Sequence, residues 1–194
     1  ADMLDKASVP KTKIDGIAVA IGPGSFTGLR IGLATAKGLA FAWNIPIIGV
    51  ETPTSLAWNF VGVSETICPL IDAQKGNVYA AAYRWQRDTL QQLEDVHIAP
   101  LTEVLNTLEA QGNPVVFCGD GALLGKKEIA EKTPLFRMAP PTMCIPRAGS
   151  VALAAQKRLR AGDVDDCMTL TPAYKRRSEA EVLWEKRHGG QKCL

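Results

Sequence analysis

Gly22-Pro23-Gly24-Ser25-Phe26-Thr27-Gly28-Leu29-Arg30 is the stretch on which the fold turns. An apolar run, residues 17–21, leads into it, and a helical pattern reaching about Trp43 leads out. Strand, Gly-Pro-Gly turn, helix start is an order that presents bare backbone N–H groups to an anion. The glycines permit positive φ and close approach of another backbone. The spacing, however, is neither G-x-G-x-x-G nor the Walker pattern with its Gly-Lys-Ser/Thr. The residues Gly22, Pro23, Gly24, Ser25, Phe26, Thr27 and Gly28 therefore read first as a tight strand-to-helix turn. A vestigial phosphate site is the second reading of the same residues.

Working outward, residues 14–21 read as a buried strand, nearly continuous in apolar side chains. Residues 25–43 read as a helix and 45–50 as a second buried strand. Thr52 and Pro53 form an N-cap and first-turn pair for a short helix to about residue 61. Strand, helix, strand with this spacing predicts a right-handed βαβ unit and hence an α/β fold. The character changes at 62–64. Runs at 66–72 and 77–85, separated by Ala73-Gln74-Lys75-Gly76, predict an antiparallel hairpin, with further strand at 88–99. A helix over 101–111, a buried strand over 115–118 and a helix reaching about Lys132 follow. The segment 133–146 holds Pro134, Pro140, Pro141 and Pro146 and reads as loop with short extended pieces. A last helix spans 149–161, with Gly162 just past its end. The predicted division is 1–63 and 64–194.

Composition sets limits. The 194 residues are 46% hydrophobic and 22% charged with a net charge of +2, ordinary for a globular protein and too balanced to name a partner. Cys68, Cys118, Cys144, Cys167 and Cys193 are widely spaced with no C-x-x-C pair, and the chain has only two histidines, His97 and His188. That argues against a zinc site and against a disulfide scaffold. The longest apolar stretch, 38–50, is broken by Asn44 and Pro46 and is too short to span a membrane. Near the end, Lys175, Arg176, Arg177, Lys186, Arg187 and Lys192 face only Glu179, Glu181 and Glu185. With Tyr174 and Trp184 as its aromatics, this reads as a solvated tail rather than an RNA-stacking platform.

No catalytic constellation emerges. Ser25, Ser55 and Ser150 lack a G-x-S-x-G elbow. Asp72 and Asp120 sit at strand ends, where a carboxylate either caps a turn, the favoured reading, or serves in a site. What the residues do offer is a surface. Gly24, Gly28, Gly32, Ala36 and Ala40 recur every four residues as a slowly drifting stripe of small side chains, opposed by Phe26, Leu29, Leu33, Lys37 and Phe41. A glycine inside a helix costs about 1 kcal/mol relative to alanine, so close packing against these positions is the expected compensation. One side of this helix must cover the sheet; the other is either buried within the protein as well or left as an interaction face.

GPGSFTGLRIG, followed in order by AKGLA, IPIIGVETPTSLAW, IDAQKGNVYAAAY and PAYKRR, resembles the bacterial TsaB (YeaZ) proteins, the non-catalytic paralogues of the TsaD family, over the chain to about Ala180. The resemblance implies a two-lobe α/β fold of the ASKHA (actin/Hsp70-like, ribonuclease-H-like) type. It also implies that the chain is N-terminally incomplete: Ala1 to Ala7 read as the tail of a helix, the family's first strands are missing, and the strand at 16–21 has an open edge. The implied role is a non-catalytic subunit in tRNA N6-threonylcarbamoyladenosine biosynthesis that binds and stabilises a TsaD-like threonylcarbamoyltransferase, with a TsaE-like ATPase as further partner. The protein is expected to act in the cytoplasm, to contact tRNA only indirectly, to need no cofactor and to form a homodimer in isolation. Family members pair through their first helices, which makes Leu4, Ala7, Arg30, Leu33, Lys37 and Phe41 the implied interface. The catalytic relatives carry a metal-binding histidine pair after the second strand; the matching stretch here, Val50 to Trp58, has no histidine. Alternatives are a stand-alone homodimer, or an M22-type peptidase or nucleotide-dependent enzyme using the Gly22–Gly28 turn.

Overall fold

A short helix α1 (Asp2–Lys6) and a 3-10 turn (Lys11–Lys13) lead into strand β1 (Ile17–Gly22), helix α2 (Phe26–Trp43) and strand β2 (Ile47–Glu51). Helix α3 (Thr52–Ala57) continues as a 3-10 turn (Trp58–Phe60). Strands β3 (Thr66–Asp72), β4 (Asn77–Gln86) and β5 (Thr89–Pro100) follow, then helix α4 (Leu101–Gln111) and strand β6 (Val115–Cys118). Two short helices, α5 (Asp120–Leu124) and α6 (Lys126–Ala130), precede strand β7 (Phe136–Met138), a 3-10 turn (Pro141–Met143) and helix α7 (Ala148–Arg160). This is a computed structural model, and it describes residues 2–174.

β1 and β2 pair in parallel, Ile17 beside Ile47 and Ala20 beside Val50, joined by the α2 crossover. Alternation splits their side chains between two helices. Ile17, Val19 and Ile21 turn toward Leu33, Ala36 and Ala40 of α2. Ala18, Ala20, Ile48 and Val50 turn toward Val151 and Ala155 of α7. Both faces are covered, which is why these strands read as unbroken apolar runs. No strand pairs with the outer edge of β1 among the described residues.

The second sheet runs β5-β4-β3-β6-β7. β3, β4 and β5 form an antiparallel meander, and β3, β6 and β7 are parallel. One face packs Ile67, Ile71, Tyr83 and Trp85 under Leu56, Ala57 and Phe60, so α3 and the turn after it lie between the two sheets. The other face packs Leu70, Ala80 and Phe117 under Val104, Leu105 and Leu108 of α4 and Ile129 of α6. Gly119, at φ +95°, lets the chain leave β6 across β3; a Cβ there would overlap the Leu70 carbonyl oxygen.

Three expectations need correction. The division at residue 63 assigns 64–194 to a second unit, but α7 covers the first sheet. The segment after α7 stays there too: Asp165 N–H donates to Ile47 O (3.0 Å), and Asp165 Oδ2 accepts from Gly49 N–H (2.7 Å). Arg158 locks this return by donating to Asp163, Asp165 and the Gly49 carbonyl. The helix expected to reach Lys132 breaks in two at Gly125, where a Cβ would overlap Leu101. At α3 the cap is Glu51, with Thr52 already helical and no side-chain cap bond. At 133–146 the expected loop with short extended pieces is found, one piece being the paired strand β7.

Burial pushes the thiols of Cys68, Cys118 and Cys144 above their ordinary pKa, which makes them inert packing groups. Three carboxyls are held below their ordinary range: Glu65 by its hydrogen bond from Arg137, Asp163 by Arg158, and Asp166 by the backbone N–H groups of Thr169 and Met168. A carboxyl with a depressed folded pKa stabilises above its unfolded value, and that stabilisation is lost as pH falls through the folded value. The melting temperature is thus expected to hold level from about pH 7 to about pH 5 and to fall below about pH 4. Scanning calorimetry across that range checks it; Glu65→Gln, Asp163→Asn and Asp166→Asn together should flatten the fall.

Candidate functional site

The Gly22–Gly28 turn is built by local geometry. β1 ends at Gly22 with φ +114°, a region open to glycine, and the Gly22–Pro23 peptide is cis. Ser25 is the N-cap of α2: its Oγ accepts from Gly28 N–H (3.3 Å), and its carbonyl accepts from Leu29 N–H (2.9 Å). The Ser25 hydroxyl therefore already satisfies one of the N–H groups that an anion would need. The turn is flanked by the returning chain, with Ala173 N–H donating to Ile21 O (2.8 Å).

Arg30 closes that flank. Its guanidinium carbon lies 4.0 Å from the Phe26 ring centroid, and its Nε–H donates to the Tyr174 hydroxyl (2.9 Å). Phe26 and Tyr174 are 5.4 Å apart, centroid to centroid. Sequence reading could not have found Tyr174 as a partner of Arg30, because the two are 144 positions apart.

The implied interface residues divide into three groups. Leu33 is 5% exposed and packs with Ala36, Ala40 and Ile47, so its placement on an outer face is corrected: it belongs to the core between α2 and the sheet. Lys37 is likewise turned inward along the molecule, its Nζ donating to the carbonyls of Met168 (3.0 Å) and Leu170 (3.1 Å). Phe41 is 75% exposed; Arg30 and Ala7 are exposed and Leu4 is half-buried.

Sequence reading missed Ile31, 63% exposed and on the same helix as Phe41. The outer face of α2 is completed by glycine. A Cβ on Gly24, Gly32 or Gly38 would meet nothing within 4 Å, and one on Gly28 would meet only Ser25. The small-residue stripe is therefore not one surface. A four-residue step advances about 40° around a helix, so Gly28 and Gly32 lie outward while Ala36 and Ala40 have rotated into the core, and Gly24 precedes the helix. The glycines' cost finds no compensating contact among the described residues.

Chemistry is sparse around this face. Asp72 Oδ1 accepts from Gln74 N–H (2.8 Å), and Asp120 Oδ1 accepts from the N–H groups of Gly121 (2.8 Å) and Asp72 (3.1 Å), so both carboxylates cap turns. His97 sits on β5, 3.6 Å from Glu94, far along the chain from the turn. No group of three His, Cys, Asp or Glu side chains able to hold a metal occurs among the described residues. His188, Cys193 and the basic tail beyond Tyr174 lie outside the described residues.

Comparison with known proteins gives this arrangement its context. The sequence profile "TsaD: tRNA N6-adenosine threonylcarbamoyltransferase" matches residues 1–184. The chain is 33% identical over 184 residues to the tRNA threonylcarbamoyladenosine biosynthesis protein TsaB of Bacillus subtilis, covering 94% of this chain and 78% of that protein. It is 42% identical over 90 residues to TsaB of Escherichia coli, covering 45% of this chain and 38% of that one. Among solved structures, a Pseudomonas aeruginosa protein described as having similarity to peptidase YeaZ superposes with a TM-score of 0.77 at 27% identity, over 90% of this chain and 80% of that one. A second, described as YeaZ from Pseudomonas aeruginosa, gives 0.73 at 26% identity, over 89% and 80%. The fold is accordingly of the ASKHA type, and the chain belongs to the TsaD family, within its TsaB (YeaZ) branch.

Proposed function

We propose that this chain serves tRNA N6-threonylcarbamoyladenosine biosynthesis as a subunit without bond-making chemistry of its own, binding and stabilising a TsaD-like threonylcarbamoyltransferase. The single observation that carries the reading is the outer face of α2. Ile31 stands exposed beside Gly28 and Gly38, and Phe41 beside Gly38, and these glycines touch nothing that would repay a glycine in a helix. Such a face lets a second helix approach closely and bury apolar surface. The relatives' name, TsaB, points to the pathway. The histidine-free stretch from Val50 to Trp58 supports a non-catalytic role.

Arg30, Phe41 and Ile31 on α2, with Leu4 and Ala7 before it, make up the proposed contact. A second copy of this chain would use the same face, so self-association and pairing with the catalytic subunit would compete. A TsaE-like ATPase joins the assembly, tRNA is contacted indirectly, and the site of action is the cytoplasm. No helix among the described residues is long and apolar enough to cross a membrane.

Light scattering on the purified chain mixed with the TsaD-like subunit of the same organism tests the proposal. A mixed complex that displaces any homodimer is expected, together with loss of the modified nucleoside from tRNA digests when the gene is silenced. Free subunits in the mixture and unchanged nucleoside content would overturn it.

A further inference from the structure

Arg84, near the end of β4, carries a charge the fold leaves uncompensated. Its neighbours Tyr83 and Trp85 enter the core on the α3 side, so strand alternation sends Arg84 to the opposite face, past the apolar cluster under α4. Its Nη2 donates to Thr66 Oγ1 (2.8 Å). Its Nε is buried and has no hydrogen-bond partner, and no carboxylate among the described residues pairs with it. The contrast with its peers is sharp: Arg137 holds Glu65 at 2.6 Å, and Arg158 holds Asp163 and Asp165. A half-buried guanidinium without a counter-ion is unfavourable, and an anion within reach of its terminal nitrogens would supply the missing countercharge, while Nε, closed off from solvent, stays without an acceptor.

A place for one exists. Arg84 lines a cavity of about 270 Å³ with Ser64, Glu65, Thr66, Asn113 and Pro114, open at the exposed Ser64 and Asn113. It lies where the start of β3, the end of β4 and the turn before β6 converge. All but one of its polar side chains can donate: the guanidinium, the Ser64 hydroxyl, the Thr66 hydroxyl, whose oxygen already accepts from Arg84, and the Asn113 amide, whose NH2 donates while its oxygen accepts. Glu65 is the exception, and Arg137 neutralises it, holding its carboxyl in the ionised form. With Glu65 held by Arg137, which lies outside the lining, Arg84 is, among the described residues, the cavity's one charge left without a counter-ion.

We propose that this cavity binds a phosphate group. Arginine presents a planar fork that matches oxyanion geometry, and charge-assisted bonds of this kind are the strong ones. Donors from three further side chains suit the several oxygens of a tetrahedral phosphate better than the two of a carboxylate. The volume exceeds that of a bare phosphate ion, leaving room for an attached group.

The experiment is NMR titration of the isotopically labelled full chain with inorganic phosphate at constant ionic strength, with acetate and dimethyl phosphate in parallel. Saturable shifts confined to 64–66, 84 and 113–114 are expected with phosphate. Arg84→Gln should weaken binding at least about tenfold, and Arg84→Lys, keeping the charge without the fork, by an intermediate factor. Ser64→Ala and Asn113→Ala, both at exposed positions, should each weaken it several-fold without touching the core, which keeps the test open if Arg84→Gln does not fold. Equal saturation by dimethyl phosphate would identify a phosphodiester source; saturation by inorganic phosphate alone, a free ion or monoester. Absence of saturation, indifference to all these variants, or acetate binding as tightly as phosphate would overturn the proposal and leave Arg84 a structural residue.

Discussion

Changing both Ile31 and Phe41 to glutamate is expected to weaken association through the outer face of α2 at least about 100-fold while the chain stays folded. An aromatic side chain buries about 150–250 Å² at an interface and an isoleucine is worth about 1.5–3 kcal/mol, at roughly 25 cal/mol per Å². Losing both exceeds the roughly 2.7 kcal/mol that 100-fold represents, before the penalty of two unpaired carboxylates against apolar surface. The monomer should tolerate the change. Ile31 and Phe41 are 63% and 75% exposed, and glutamate is a better helix former than either. Light scattering gives the association constant and calorimetry the melting temperature. Leu33→Glu is the informative control. On an outer face it would break pairing in a folded monomer; at 5% exposure, among Ala36, Ala40 and Ile47, it should unfold the first sheet instead. A folded, non-pairing Leu33→Glu chain, or unchanged pairing in the double variant, would overturn the assignment of the faces.

The second large effect concerns Gly119. Replacing it by valine should destabilise the protein by more than about 4 kcal/mol, enough to abolish soluble expression in a domain of ordinary stability. Two penalties act together. At φ +95° a β-branched residue is strained, and its Cβ would overlap the Leu70 carbonyl oxygen, backbone of the central strand β3 that cannot swing aside. Gly24→Ala makes the comparison. Nothing lies within 4 Å of a Cβ there and its φ is not in the left-handed region, so chemical denaturation should show a change within about 0.5 kcal/mol. Valine at 119 without a fall in the urea midpoint would mean that β6 crosses β3 differently.

Much of the fold was legible in the sequence because its signals are local. The Gly22 to Gly28 turn, the hairpin around Gly76, helix α4 and strand β6 each declare themselves within a dozen residues, by period, glycine or cap. The division at residue 63 was not legible, because α7 carries apolar residues at helical spacing that say it must bury a face but not against which sheet. The break at Gly125 was hidden too: a single glycine is tolerated in a helix, and the approach of Leu101, which leaves no room for a Cβ there, comes from outside the local sequence.

The candidate site followed the same rule. The composition of α2 announced two unlike sides, and the chain contained no partners for catalysis near its glycine turn. The capture of Lys37 by the Met168 and Leu170 carbonyls and the bond from Arg30 to Tyr174 depend on segments more than 130 residues away, and the inward turn of Leu33 depends on the sheet it packs against. The unpaired state of Arg84 is of that kind too, since a charge can be counted in a sequence but its counter-ion cannot. By itself the sequence determined which elements form and that one helix carries a surplus face, because propensity, capping and periodicity act between neighbours. Only the tertiary structure decided which residues that face contains, because burial and hydrogen bonding are settled by whatever the distant chain brings alongside.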